Sequence, residues 1–100
     1  MQAGQRYYGY GYMQGQSIWL TLEVITRVAN SNTYSYTYAI SYTEDGPTMS
    51  TGSGDGSIWS NEAELSVTIE NIPLSGSRVG TTLSFNTSNG SLTLICNQGC

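Results

Sequence analysis

The sequence predicts an all-β protein: an antiparallel β-sandwich, jelly-roll or immunoglobulin-like, of roughly six to eight strands, with a small barrel as the alternative. Three observations carry this. Apolar and polar residues alternate in several runs, as they must where successive side chains point to opposite faces of a strand. Clusters of Gly, Asn and Ser separate the runs. No segment repeats apolar residues at helical spacing over three turns. At 100 residues the chain is one domain.

Residues 4–16, GQRYYGYGYMQGQ, are low in complexity. If extended, they place Tyr8, Tyr10 and Tyr12 on one side and Tyr7, Gly9 and Gly11 on the other. The expected organisation is a Tyr/Gly-rich arm over 1–16 and a β-sandwich domain over 17–100. The arm is either a flexible tail or an added strand on its own sheet edge or a neighbour's.

SIWLTLEVITRV, Ser17 to Val28, is the strongest strand pattern. Ile18, Leu20, Leu22, Val24 and Val28 mark its buried face, and Trp19 and Ile25 make the other face too apolar for plain solvent. Asn30 and Asn32 then favour a turn, and TYSYTYAISYT, Thr33 to Thr43, returns as a hairpin partner. This stretch has a wall of rings, Tyr34, Tyr36, Tyr38 and Tyr42, and a wall of small residues. Which wall is buried is left open by the pattern.

Residues 46–57 contain Gly46, Gly52, Gly54 and Gly56 among Ser, Thr and Asp55, and read as an exposed loop. Ser57-Ile58-Trp59 repeats Ser17-Ile18-Trp19, a match short enough to be chance. In EAELSVTIEN, Glu62 to Asn71, Ala63, Leu65, Val67 and Ile69 oppose a solvated face of Glu62, Glu64, Ser66, Thr68 and Glu70. Pro73 is expected to stop this strand, since it lacks a donor. Asn89-Gly90 signals a tight hairpin turn. With that pair at the tip, Ser88 faces Ser91, Phe85 faces Leu94 and Leu83 faces Cys96, and every large apolar residue but Ile95 shares a face.

Composition excludes several functions. The cations are Arg6, Arg27 and Arg78, spread through a chain of net charge −4, so the basic cluster that nucleic acid or an anionic membrane requires is missing. No apolar run reaches the roughly 18 residues of a transmembrane helix. Met1-Gln2 opens into polar sequence, so no secretory leader is expected. With neither His nor Lys, nucleophilic catalysis lacks its usual base, and Ser53 sits in no nucleophile elbow. The carboxylates lie on a solvated strand face or in turns, which argues against a glycosidase pair. Asp45 and Asp55 form no calcium-loop pattern, and two thiols without His cannot fill a zinc shell, so neither metal nor cofactor is expected. Cys96 and Cys100 could form a local disulfide, join chains, or stay reduced. Asn86-Thr87-Ser88 and Asn89-Gly90-Ser91 fit the glycosylation pattern, which such a composition yields easily.

What remains is aromatic. The contact candidates are Tyr7, Tyr8, Tyr10, Tyr12, Trp19, Tyr34, Tyr36, Tyr38, Tyr42 and Trp59. The leading expectation is a non-catalytic, self-assembling subunit of a filament, coat or homo-oligomer, outside the cell or on a cell or virion surface. The alternatives are a carbohydrate-binding module that stacks sugars on these rings and a small pore-forming or surface-active toxin. Against all three stands the plain reading that the rings are ordinary core.

Overall fold

A computed structural model describes residues 1–28, 30–59, 63–87 and 90–100. These form eight strands: β1 (Arg6–Met13), β2 (Gln16–Arg27), β3 (Thr33–Ser41), β4 (Ser50–Ile58), β5 (Glu64–Ile69), β6 (Ile72–Val79), β7 (Thr82–Thr87) and β8 (Gly90–Gln98). They follow one another as an antiparallel meander, and β1 pairs with β8 to close a barrel. The all-β antiparallel expectation holds in its small-barrel form. The Tyr/Gly segment expected as an arm is β1, bound to β2 on one side and β8 on the other.

Alternation explains the core. One parity of each strand points inward, and the interior is aliphatic on β2, β5 and β8, with Leu20, Leu22, Ile69 and Leu94 fully enclosed. The ring wall of β3 is the inner wall: Tyr34, Tyr36 and Tyr38 are buried, and Tyr7 joins them from β1. Val28 lies beyond the end of β2, after a bulge at Val24/Thr26, and is exposed rather than buried.

The segment read as a loop at 46–57 is in large part β4, and glycine is why it is a strand. Tyr34, Tyr36 and Tyr38 pair in register with Gly56, Gly54 and Gly52. Each ring lies across the glycine beside it; a methyl group on Gly54 would stand 2.9 Å from the Tyr36 hydroxyl, and one on Gly56 would be 2.5 Å from the Tyr34 ring. The hydroxyls thereby reach β5. Tyr34 Oη donates to the Ser66 carbonyl (2.8 Å), and Tyr36 Oη donates to the Thr68 carbonyl (2.7 Å). Thr68 N–H donates back to Tyr36 Oη (2.8 Å), and Glu70 N–H donates to Tyr38 Oη (3.2 Å).

Among the described residues β4 meets β5 in register only at Ser57↔Ser66 and Ile58↔Leu65. Above those rungs the phenolic oxygens occupy the hydrogen-bonding positions a neighbouring strand would fill, and Ser50 Oγ donates to the Glu70 carboxylate across the gap. Burial pushes the Tyr34 hydroxyl far above the ordinary phenol range; it also raises Tyr7 and Tyr36, the latter held back by its bond to Thr68.

Two further sequence readings are corrected. Glu70 and Asn71, both left-handed (φ 51° and 66°), make the turn that ends β5, and Pro73 lies inside β6, opposite Thr68. The last hairpin pairs Thr87↔Gly90, Phe85↔Leu92 and Leu83↔Leu94. That register is two residues from the expected one, which keeps every side chain on its expected face. Gly90 is a strand residue, paired with Thr87, and the position requires glycine because a side chain there would strike the Tyr12 carbonyl. The expected turn residue Asn89 and its neighbour Ser88 lie outside the described residues, as does Glu62.

One end of the barrel is stoppered by the chain's own beginning. Met1 is 1 % exposed, its carbonyl accepts from Arg27 Nη1 (3.2 Å), and Gly4 N–H donates to the Val24 carbonyl (2.9 Å). Cys96 and Cys100 form a disulfide at this end, with α-carbons 6.1 Å apart.

Candidate binding site: an aromatic groove on the outer wall

The outward parity of β1 is Tyr8, Tyr10 and Tyr12. Its inward parity at Gly9 and Gly11 carries no side chain, and a methyl group at either would collide with the backbone of β8 at Thr93 or Ser91. β8 therefore rides close against β1, and the outward residues of both strands share one surface. Register sets the rows: Tyr8 between Ile95 and Thr21, and Tyr10 between Thr93 and Trp19, with Tyr12 opposite Ser17.

Trp19 sits between two of these rings. Its centroid is 5.5 Å from that of Tyr8 in a stacked arrangement and 4.8 Å from that of Tyr10 in a tilted one. Such contacts are worth about 0.5–1.5 kcal/mol beyond burial and hold the rings in one orientation. The connection between β3 and β4 fixes the edge of the cluster, because Asp45 N–H donates to Tyr8 Oη (3.2 Å). That connection is braced in turn by Ser41 Oγ donating to the Thr43 carbonyl (2.8 Å).

The result is an open groove of about 830 Å³, lined by these aromatics together with Ser17, Glu44, Ser91, Thr93 and Ile95. Tyr10 is 64 % exposed, Tyr12 58 % and Ile95 55 %. Hydroxyls flank the aromatic row on both sides, and Glu44 is the charged residue of the lining.

Of the sequence candidates, Tyr8, Tyr10, Tyr12 and Trp19 are brought together here. Tyr7, Tyr34, Tyr36 and Tyr38 are inside the barrel, so the expectation that they are contact residues is corrected: their rings pack the core and their hydroxyls serve the structure. Tyr42 and Trp59, each about half exposed, lie at opposite ends of the barrel, outside the lining of the groove. Sequence reasoning missed Glu44, Ser17, Ser91 and Thr93. Ile95 was legible as the apolar residue that broke the face pattern of the last hairpin, and it breaks it because its own outward face is this groove. Among the described residues no group of three or more His, Cys, Asp or Glu is placed to hold a metal.

No protein family, curated protein or solved structure matches this chain.

Proposed function

We propose that the protein is a non-catalytic binding module whose outer groove takes a carbohydrate. The observation that carries this is the outward row of tyrosines, Tyr10 and Tyr12 exposed and Tyr8 half-buried, steadied by Trp19, with hydroxyl side chains along both flanks. A sugar has apolar ring faces and a polar rim of hydroxyls. It suits a surface with aromatic planes and neutral hydrogen-bonding groups better than one with ions to desolvate. Among the described residues Glu44 is the carboxylate in the lining, with Asp45 beside Tyr8 in the adjoining recess, whereas hydrolysis of a glycosidic bond calls for two carboxylates flanking the scissile bond. The Cys96–Cys100 disulfide favours an oxidising, extracellular or surface location.

Self-association is the second reading, favoured by the grouping of Tyr10, Tyr12 and Ile95 as one exposed apolar patch. It loses its original vehicle, since β1 is already paired on both edges. A pore is the least favoured reading: aliphatic and aromatic residues fill the interior and Ser, Thr and Glu are frequent outside, the reverse of a membrane barrel.

The test is binding to a panel of insoluble polysaccharides, followed by Trp fluorescence with their soluble fragments. Binding to at least one is expected, with Tyr10→Ala and Tyr12→Ala each weakening it about tenfold, a loss equal to one good ring contact. A flat response across the panel rejects the reading. A concentration-dependent rise in mass, abolished by the same two substitutions, selects self-association instead.

A further inference from the structure

The groove has a direction and a charge, and both constrain its ligand. Resting on the carbohydrate reading above, we infer that the site is built for a linear oligosaccharide of neutral or amino sugars, at least three units long, laid along β1, with Glu44 rejecting carboxylated sugars. Alternate residues on a strand stand about 6.5 Å apart, so Tyr8, Tyr10 and Tyr12 mark out a line of about 13 Å. The tyrosines form a row and not a ring around one point, so a single sugar covers one position and leaves the rest of the apolar lining in water. Hydroxyls recur along that line: Thr93 is paired with Tyr10, and Ser17 with Tyr12. At Tyr10 and Tyr12 a unit of the chain meets an aromatic plane and a hydroxyl neighbour, and at Tyr8 it meets the Tyr8–Trp19 stack beside Ile95.

Glu44 supplies the charge. The β3–β4 connection, whose Asp45 N–H donates to Tyr8, brings it into the lining of the groove. Arg27 bonds Met1 and Arg78 bonds the Gly80 carbonyl, while Arg6, the next outward residue of β1 beyond Tyr8, faces Glu23 (3.4 Å) and lies outside the lining. A uronic acid in the groove would meet the Glu44 charge with no cation in the lining, whereas a sugar hydroxyl or ammonium would donate to it.

The experiment uses a Trp59→Phe background, in which Trp19 is the single indole reporter. Three series are titrated, each from the monosaccharide to the hexamer: cello-oligosaccharides, chitosan oligomers and oligogalacturonates. Affinity for the first two should rise about two- to tenfold per added unit up to the trimer and then level off. Oligogalacturonates should bind at least about fivefold more weakly, a gap that narrows with salt. Glu44→Gln should raise oligogalacturonate affinity about fivefold. Affinity independent of length, equal affinity for the uronates, or a Glu44→Gln variant that still rejects them would overturn this inference and leave a carbohydrate module standing. Silence in all three series, together with no retention on the polysaccharide panel, would overturn both.

Discussion

Tyr36 does the work of a backbone. Its oxygen both donates to and accepts from Thr68, as a residue of a paired strand would. Removing that oxygen while keeping the ring isolates the effect. Tyr36→Phe leaves the packing intact and takes the partner from one N–H and one carbonyl, so it should destabilise the protein by about 1–3 kcal/mol. Equilibrium urea unfolding would read this as a lower midpoint with an unchanged slope. No shift in midpoint would mean that water replaces the phenol at no cost. The alternation of Tyr34, Tyr36 and Tyr38 was plain in the sequence, but the direction in which they point was not. Either face of that strand could have been the wet one, and only its neighbour decides. The neighbour offers hydrogen where other strands offer side chains, and the rings fill that space.

At the level of the element, β4 is the strand that sequence reasoning missed, and the reason is physical. Strands are recognised by apolar residues at every second position, and β4 has glycine there instead. Its apolar contribution is borrowed from β3, across the strand, so it leaves no mark in its own composition. Alternating glycine in one strand opposite alternating rings in another is a joint pattern of the kind known as aromatic rescue, and it is visible only when the two are read together in antiparallel register. The glycines should then differ in tolerance. A methyl group at Gly56 meets the Tyr34 ring and the Ser66 carbonyl, which belongs to backbone, whereas one at Gly54 meets the movable end of Tyr36. Gly56→Ala should cost about 1–3 kcal/mol and Gly54→Ala less, by comparison of denaturation midpoints. The reverse order would contradict the packing described. β6 was missed for a milder cause: Gly76 and Arg78 interrupt its inward parity after Leu74.

For the whole molecule, the sequence supports antiparallel strands but leaves open whether they form two sheets or one closed sheet. Alternation is the same in both; closure depends on the first strand meeting the last, and the glycines that allow that meeting, Gly9, Gly11 and Gly90, resemble turn composition when read singly. The outer groove was half legible for a related reason. Its aromatic row lies within one strand, while Glu44, Ser91 and Thr93 reach it only through the closure and a connecting loop. The buried phenols also give global stability a pH limit. Their folded values are raised above the unfolded value of 10.0, so the fold favours the neutral form. The stability they contribute is complete below about pH 10 and is lost as pH climbs through the raised values. Part of the tyrosinate absorbance should therefore appear only together with the loss of near-ultraviolet circular dichroism. Full ionisation with the circular dichroism unchanged would show that the interior admits hydroxide. The short β4–β5 pairing carries a last consequence, for handling. Heat near neutral pH that loosens three phenolic contacts would uncover a bare rim of glycine backbone, and the harm to a warm stock would then be fibres rather than dissolved coil.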